Sequence, residues 1–383
     1  MPDFYDYKFK DENTVVSDLI DYMDSQKIDY ARIEQQAYVF IETIRKRKGD
    51  LKGFNALIQS YDLTSEEGLA LMTLAEALLR IPDNVTADLL IQDKLSEGDW
   101  AHLFSQAGDL TARLSGMGLS LSQKTMDSMV GKLGMPLIRK ACTEAMQLMG
   151  RTFVLGRDIE EALRKAKPGI TKGYVHNYDM LGEGARTSKD ADLYFQSYAA
   201  AIRDIGTHKS HRKKDNTSFF NRAGISVKLS ALYPRYEFSQ SEDAISILSD
   251  RLMQLCTLAA EYNINLTVDA EECDRLALSL KIIETVLKSP VVKNWDGFGM
   301  AVQAYHKRAM PLLDVVLKWP EQYNCKFSVR LVKGAYWDSE IKHSQIEGYS
   351  DYPVFTRKEN TDLSYLACAC KLLKNRDKLY PMF

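Results

Sequence analysis

No apolar run in this 383-residue chain approaches the roughly 20 residues needed to span a bilayer, so any membrane contact is expected to be peripheral. The N-terminus carries Asp3, Asp6, Asp11 and Glu12 without an apolar core, which does not fit a secretory signal. Six cysteines contain no CxxC pair, and Cys368 and Cys370 lack zinc-finger spacing, so reduced core thiols of a cytoplasmic protein are expected. Neither sign of charge dominates: 50 Lys and Arg stand against 52 Asp and Glu, a net charge of -2. That balance gives no global attraction for nucleic acid or anionic lipid, and DNA is not expected as a partner. No second His or carboxylate sits at ligand spacing beside His176 or His306, so no metal is expected.

What is present divides near Lys167. Residues 15 to about 167 read as helix after helix. Tyr30 to Arg47 places Ile33, Ala37, Phe40, Ile41 and Ile44 on one face, with the basic run Arg45 to Lys48 in the last turn, where cations suit the helix dipole. Thr64 and Glu67 have capping-box spacing ahead of Leu71, Met72, Ala75, Leu78 and Leu79, a run that Pro82 stops. Leu110 to Gly134 reads as a looser, Gly-containing connector, and Pro136 to Gly150 and Asp158 to Lys167 as further helices. No nucleophile with a base is visible here, and residues 1–167 are assigned to a helical arm for scaffolding or subunit contact.

From Pro168 the period changes. Strand candidates at Gly173–Tyr178, Gly224–Leu229, Ile264–Val268, Gly297–Ala304 and Phe327–Val332 are each followed by a helical stretch. Such alternation means parallel strands with crossover helices. No Gly-rich loop follows the first strand, which disfavours a dinucleotide-binding open sheet and favours a (β/α)8-type barrel over residues 168–383.

The stretch Phe327 to Lys342 puts an arginine, Arg330, in mid-strand, and a buried guanidinium requires an electron-rich neighbour. Polar residues also fall at the other strand ends: Asp179 and Glu183, Lys228, Asp269 with Glu271 and Glu272, Gln303, then Lys333. In a barrel these converge on one mouth. Each has a plainer reading alone: Asp179 and Glu183 as turn chemistry, Lys228 snorkelling outward, Glu271 and Glu272 as first-turn helix residues. The cations Arg330 and Lys228 suit a substrate carboxylate or the charge of a reduced cofactor, whereas Lys228 with a depressed pKa would form a Schiff base. The pattern leaves both roles open.

The segments YDMLGEGA (Tyr178–Ala185), ISVKLSALYPRY (Ile225–Tyr236), LTVDAEECDRL (Leu266–Leu276), GMAVQAYHKR (Gly299–Arg308) and RLVKGAYWDSEIK (Arg330–Lys342), with GRTFVLG (Gly150–Gly156) before them, resemble the proline dehydrogenase domain of the bacterial bifunctional proline utilisation flavoenzymes. The resemblance implies a distorted (βα)8 barrel that binds FAD at the strand C-termini. It implies oxidation of L-proline to Δ1-pyrroline-5-carboxylate, the first step of proline catabolism, with electrons passed to a membrane quinone and peripheral contact at the inner membrane. Carried over by residue, it puts Arg330 beside the flavin N5 edge and Gln303 on the pyrimidine ring. Val332, Lys333, Gly334, Ala335 and Trp337 line the cofactor. Lys228 pairs with the proline carboxylate, Asp269 organises the polar network, and Tyr336 shapes the pocket.

Two departures bear on the reading. No ribbon-helix-helix module precedes the helical region, so repressor activity is not expected. The chain ends at Tyr380–Phe383, which reads as the start of a sixth strand, whereas the family continues to strand eight and a helix with a pair of arginines. The expectation is an incomplete barrel of about five strands plus the start of a sixth, a fragment that retains FAD poorly. A Schiff-base lysine barrel and a non-catalytic, homo-oligomeric assembly module are the alternatives.

Overall fold

The computed structural model describes residues 4–46, 83–96, 154–208 and 218–383. The helices predicted behind Thr64 and over Pro136–Gly150, the connector Leu110–Gly134, residues Arg47 and Lys48 of the basic run, and the first residues of the Gly150–Gly156 motif lie outside them.

Six short strands form one sheet: β1 (Asn177–Asp179), β2 (Gly224–Val227), β3 (Asn265–Val268), β4 (Phe298–Gln303), β5 (Ser328–Val332) and β6 (Tyr380–Met382). Their spatial order follows the sequence, and every neighbouring pair is parallel. Alternation along each strand separates two faces. Ile225, Val227, Leu266, Val268, Phe298, Met300, Val302, Val329 and Leu331 enter the main hydrophobic core. Asn177, Asp179, Ser226, Thr267, Gly299, Ala301, Ser328 and Arg330 alternate with them.

This second face is concave. Arg330 in β5 hydrogen-bonds Ser226 in β2 at 2.8 Å, three strands away, a span of about 14 Å in a flat sheet with strands about 4.8 Å apart. Only a curled sheet brings them together. At the opposite strand ends, Tyr380 of β6 stacks on Phe219, just before β2, with ring centroids 4.5 Å apart. The architecture is an α/β sheet curved as the arc of a barrel, small and polar side chains inside and helices outside.

Ten helices of eight residues or more are described: α1 (Glu12–Ser25), α2 (Tyr30–Lys46), α3 (Asn84–Ser96), α4 (Ile159–Thr171), α5 (Ser188–Thr207), α6 (Ser241–Glu261), α7 (Leu276–Leu287), α8 (Ala309–Val316), α9 (Trp337–Ile346) and α10 (Lys358–Lys374). The chain divides into two compact units, Met1–Ile28 with Asp158–Phe383, and Asp29–Arg157. Helices α2 and α3 belong to the second. The apolar face predicted on α2 is present, but Ile33, Phe40, Ile41 and Ile44 are exposed and no α2 residue is buried.

In the first unit α1 shows a narrow stripe, Val15, Leu19 and Met23 at intervals of four, which packs with Phe355 and with Ala367 of α10. Polar bonds fix its start. Asp11 caps the helix by accepting from Thr14 N at 2.8 Å, Glu12 accepts from Asn360 Nδ2 at 2.6 Å, and the buried Lys307 ammonium donates to Lys10 O at 3.0 Å. The first turn of chain is thus part of the sheet unit.

Several boundaries differ from expectation for identifiable reasons. Helix α4 runs through Pro168 to Thr171; near a C-terminus proline removes one N–H bond while its fixed φ still suits the helix. Strand β1 begins at Asn177, so His176 precedes it. Lys228 follows β2 rather than lying in it, because its N–H leaves the ladder for Tyr198 OH at 3.1 Å. The helix predicted from Glu272 is a 3-10 turn over Cys273–Arg275 before α7 begins.

Gly299 sits where β4 meets β5: a Cβ there would lie 1.8 Å from Ser328 Oγ and 2.5 Å from Ser328 O. The hydroxyl can rotate away but the carbonyl belongs to the sheet. Gly299→Ala is expected to destabilise the fold by about 1–3 kcal/mol, read as a lower urea midpoint at unchanged slope; an unchanged midpoint would show that the two strands separate freely.

Candidate active site

Strand register sets the site. Val227 pairs with Val268, Val268 with Met300, and Ala301 with Arg330. Lys228, Asp269, Ala301 and Arg330 therefore occupy one interior layer at the C-terminal side of the sheet. Small Ala301 leaves the space between Asp269 and Arg330 open.

Two cations converge on one carboxylate. Arg330 donates to Asp269 Oδ1, and Lys228 Nζ donates to Asp269 Oδ2 at 3.0 Å. The electron-rich partner that a mid-strand guanidinium requires is Asp269, with the Ser226 hydroxyl as its second acceptor. Ser226 Oγ also accepts from Asn177 Nδ2 at 2.7 Å. Lys228 lies 3.4 Å from Asp179 Oδ1 and 3.5 Å from Glu183 Oε1. Burial opposes the charge on Lys228, but Asp269, Asp179 and Glu183 together outweigh it and hold the ammonium protonated. Burial, with Asp269 next, raises the Asp179 carboxyl above its ordinary range.

Surrounding groups fix these side chains. Tyr198 of α5 accepts from Lys228 N–H and donates to Glu183 Oε1 at 2.8 Å, locking the end of β2 to the loop after β1. The buried Glu271 accepts from Ser230 N at 3.0 Å and pairs with Arg275 Nη1 at 3.1 Å. Its backbone carbonyl accepts from Gln303 Nε2 at 2.9 Å.

Gln303 at the end of β4 is 4% exposed, and its Oε1 accepts from Ala335 N at 3.3 Å. Burial, reinforced by Arg308 and Lys8, keeps His306 neutral, so its Nε2 can accept from Gln303 Nε2 at 3.4 Å. Val332 is half-buried, and Lys333, Gly334 and Ala335 are exposed at the end of β5. Gly334 has a φ of 144°, and a Cβ there would lie 2.5 Å from the Tyr305 ring. Lys333 pairs with Asp362 of α10. Trp337 Nε1 donates to Phe355 O at 2.9 Å, and the residue is 42% exposed. Tyr336 is half-buried, and burial, then Glu271 and Glu272, pushes its hydroxyl up to about 12. It faces an open cleft of about 830 Å³ with Glu183, Lys228, Ser230, Glu271 and Arg275.

The structure thus brings Lys228, Asp269 and Arg330 into direct contact, sets Gln303 against the backbone of Ala335, and leaves Lys333 and Trp337 paired to neighbours of their own. Sequence reasoning missed Ser226 and Tyr198. Ser226 lies one strand period before Lys228, a signal that was readable; Tyr198 is an ordinary aromatic on a helix and carried none. Among the described residues, no group of three His, Cys, Asp or Glu side chains is arranged to hold a metal ion.

A family model described as proline dehydrogenase matches residues 162–383. A second, described as the DNA-binding domain of proline dehydrogenase, matches residues 53–153, most of which lie outside the described residues. That description stands against the expectation of no DNA partner drawn from net charge. The chain is 43% identical over 362 residues to the bifunctional protein PutA of Klebsiella aerogenes, covering 91% of this chain and 27% of that protein. It is 42% identical over the same length and shares to bifunctional protein PutA of Escherichia coli. A crystal structure of Bradyrhizobium japonicum proline utilization A (PutA) superposes with a TM-score of 0.69 at 45% identity, over 97% of this chain and 38% of that one. The chain therefore spans about a quarter of the length of these curated relatives. With its curled parallel sheet, its strand-end ion cluster and a family model over residues 162–383, the chain belongs to the proline dehydrogenase family.

Proposed function

We propose that the protein carrying this chain oxidises L-proline to Δ1-pyrroline-5-carboxylate using FAD. The observation that carries the reading is the meeting of Lys228 and Arg330 on Asp269 at the C-terminal end of the sheet. The donor set fits a flavin in chemical terms. Arg330 uses two of its five N–H groups on Ser226 and Asp269, which leaves three for a ligand. It is only partly exposed and cannot lose its proton, so it suits a negative charge that develops during reduction. The exposed backbone of Lys333 to Ala335 continues the same edge. Under this reading Gln303, Arg330, Val332, Lys333, Gly334, Ala335 and Trp337 hold the cofactor.

FAD, when bound, supplies a two-electron acceptor for the hydride that leaves proline. The protein binds and orients. Lys228 meets the substrate carboxylate as an ammonium, and Asp269 holds Lys228 and Arg330 at fixed separation, so the substrate arrives against the cofactor edge in one orientation. Tyr336 forms a wall of the cleft. A membrane quinone as final acceptor, reached by peripheral contact, belongs to the same proposal; among the described residues no helix is long and apolar enough to cross a membrane.

The Schiff-base alternative requires a neutral lysine. Lys228 has three carboxylates within 3.5 Å, which is the opposite environment. Borohydride added with a carbonyl substrate is therefore expected to trap no adduct, and a mass increase on Lys228 would reverse the assignment.

The direct experiment is flavin absorbance on the FAD-saturated protein. L-proline is expected to bleach the flavin band anaerobically and to drive dye reduction in air, and failure of both removes the reading. Arg330→Met is expected to lower kcat on the order of 10²-fold, with Arg330→Lys falling between it and the unaltered protein. Equal rates in all three would show that the guanidinium does not face the developing charge.

A further inference from the structure

Three carboxylates surround Lys228, and two have side chains largely withdrawn from solvent. Asp269 accepts from Arg330 on one oxygen and from Lys228 on the other. Glu183 accepts from the Tyr198 hydroxyl and its side chain is 2% exposed. Asp179 is different. Its side chain is 44% exposed, one oxygen makes a long contact of 3.4 Å to Lys228, and the other has no hydrogen-bond partner among the described residues. As the last residue of β1 it pairs with Ser226 and shares the concave face with Lys228.

A proline whose carboxylate reaches Lys228 carries its nitrogen on the adjacent carbon. The nitrogen is then set among the carboxylates that ring the lysine, and of these only Asp179 joins solvent exposure to an oxygen with no hydrogen-bond partner among the described residues. At neutral pH proline is a zwitterion, and its nitrogen has no lone pair until it loses a proton. Without that lone pair the C=N bond of the product cannot form.

We propose that Asp179 accepts this proton, an assignment that rests on the proline-oxidising reading above. One N–H proton of the substrate ammonium passes to the free Asp179 oxygen and its electron pair stays on nitrogen. A hydride then leaves the ring carbon on the other side of nitrogen for FAD, and the nitrogen lone pair becomes the second bond of C=N. The product leaves as the protonated imine, and Asp179 returns its proton to solvent through its exposed side.

The environment suits the role. The charged groups facing Asp179 are Lys228 after β2, Glu183 in the loop after β1 and Asp269 after β3. Burial and the two neighbouring carboxylates raise its proton affinity, and Lys228 offsets them only in part. The sign for stability follows. A carboxyl whose folded pKa is raised stabilises the fold below the unfolded pKa and loses that contribution as pH rises through the folded pKa. Where it is ionised, the group is therefore a cost that Asp179→Asn removes.

The test is kcat/KM for L-proline against pH in the FAD-loaded protein, unaltered and as Asp179→Asn, with thermal midpoints at pH 7.5 alongside. The variant is expected to melt no lower than the parent. At pH 7 its kcat/KM should fall at least 10²-fold, the usual scale for a lost general base. The deficit should then shrink about tenfold for each unit of pH, as solution supplies proline already neutral. A variant profile parallel to the parent, or no deficit, overturns the proposal alone. A parent protein that proline cannot reduce overturns the function and the proposal together.

Discussion

Asp269 sits between two cations that would otherwise repel each other inside a half-buried layer. Lys228 and Arg330 come from strands on opposite sides of it, and each binds a different oxygen of the same carboxylate. The acids around Lys228, Asp269 foremost, outweigh its burial and hold it as an ammonium. The geometry depends on register rather than on loops. Asp269 follows β3, Arg330 lies in β5, and the strand between them contributes only Ala301 at that level. A larger residue there would separate the charges. The polar constellation is therefore a property of the sheet, which gives it rigidity that loop-borne groups lack.

The sheet in turn depends on being curled, and the small interior residues permit this. Ser226, Gly299, Ala301 and Ser328 line the concave face where a barrel of this size has little room. Gly299 is the tightest of them. Beyond the C-terminal end of β4 the turn Tyr305 to Arg308 is tied down at several points. Arg308 donates to Cys273 O at 2.8 Å, and the buried Lys307 pairs with Asp351 at 3.0 Å and with the carbonyl of Lys10. His306 meets the Gln303 amide within the same turn. Burying an ammonium is costly unless it finds acceptors, and Lys307 finds two of them, so the first residues of the chain take part in a network that ends three residues from Gln303.

Much of this was legible in the sequence and some was not. The alternation of strand and helix after residue 168 and the polar strand ends gave the barrel class, because period-2 patterning and topology are local signals. Arg330 could be identified as needing a partner because a mid-strand guanidinium cannot stay unpaired. That the partner is Asp269 followed only from register, which short parallel strands do not reveal one by one. Tyr198 shows the limit more sharply. Nothing about a tyrosine on an amphipathic helix says that its hydroxyl will take the N–H of Lys228 and end a strand. The role of residues 4–28 was also hidden, since Val15, Leu19 and Met23 state that the helix packs, not on what.

The charge count at the mouth bears on what it can bind. Three carboxylates, Asp179, Glu183 and Asp269, face two cations, Lys228 and Arg330, so the cluster in its fully ionised form carries one excess negative charge. A simple anion would gain from Lys228 and lose to the carboxylates around it. A zwitterion meets both signs at once, with its carboxylate on the lysine and its ammonium toward the acids, and needs no net charge to bind. Complementarity of this kind selects against molecules that have the carboxylate but lack the amine, because the unmatched acids would then be desolvated without compensation. The raised proton affinity of Asp179 comes first from burial and then from the neighbouring acids Asp269 and Glu183, which Lys228 offsets only in part. In the proposed reaction, recognition of the amino acid and acceptance of its proton would draw on the same cluster of acids.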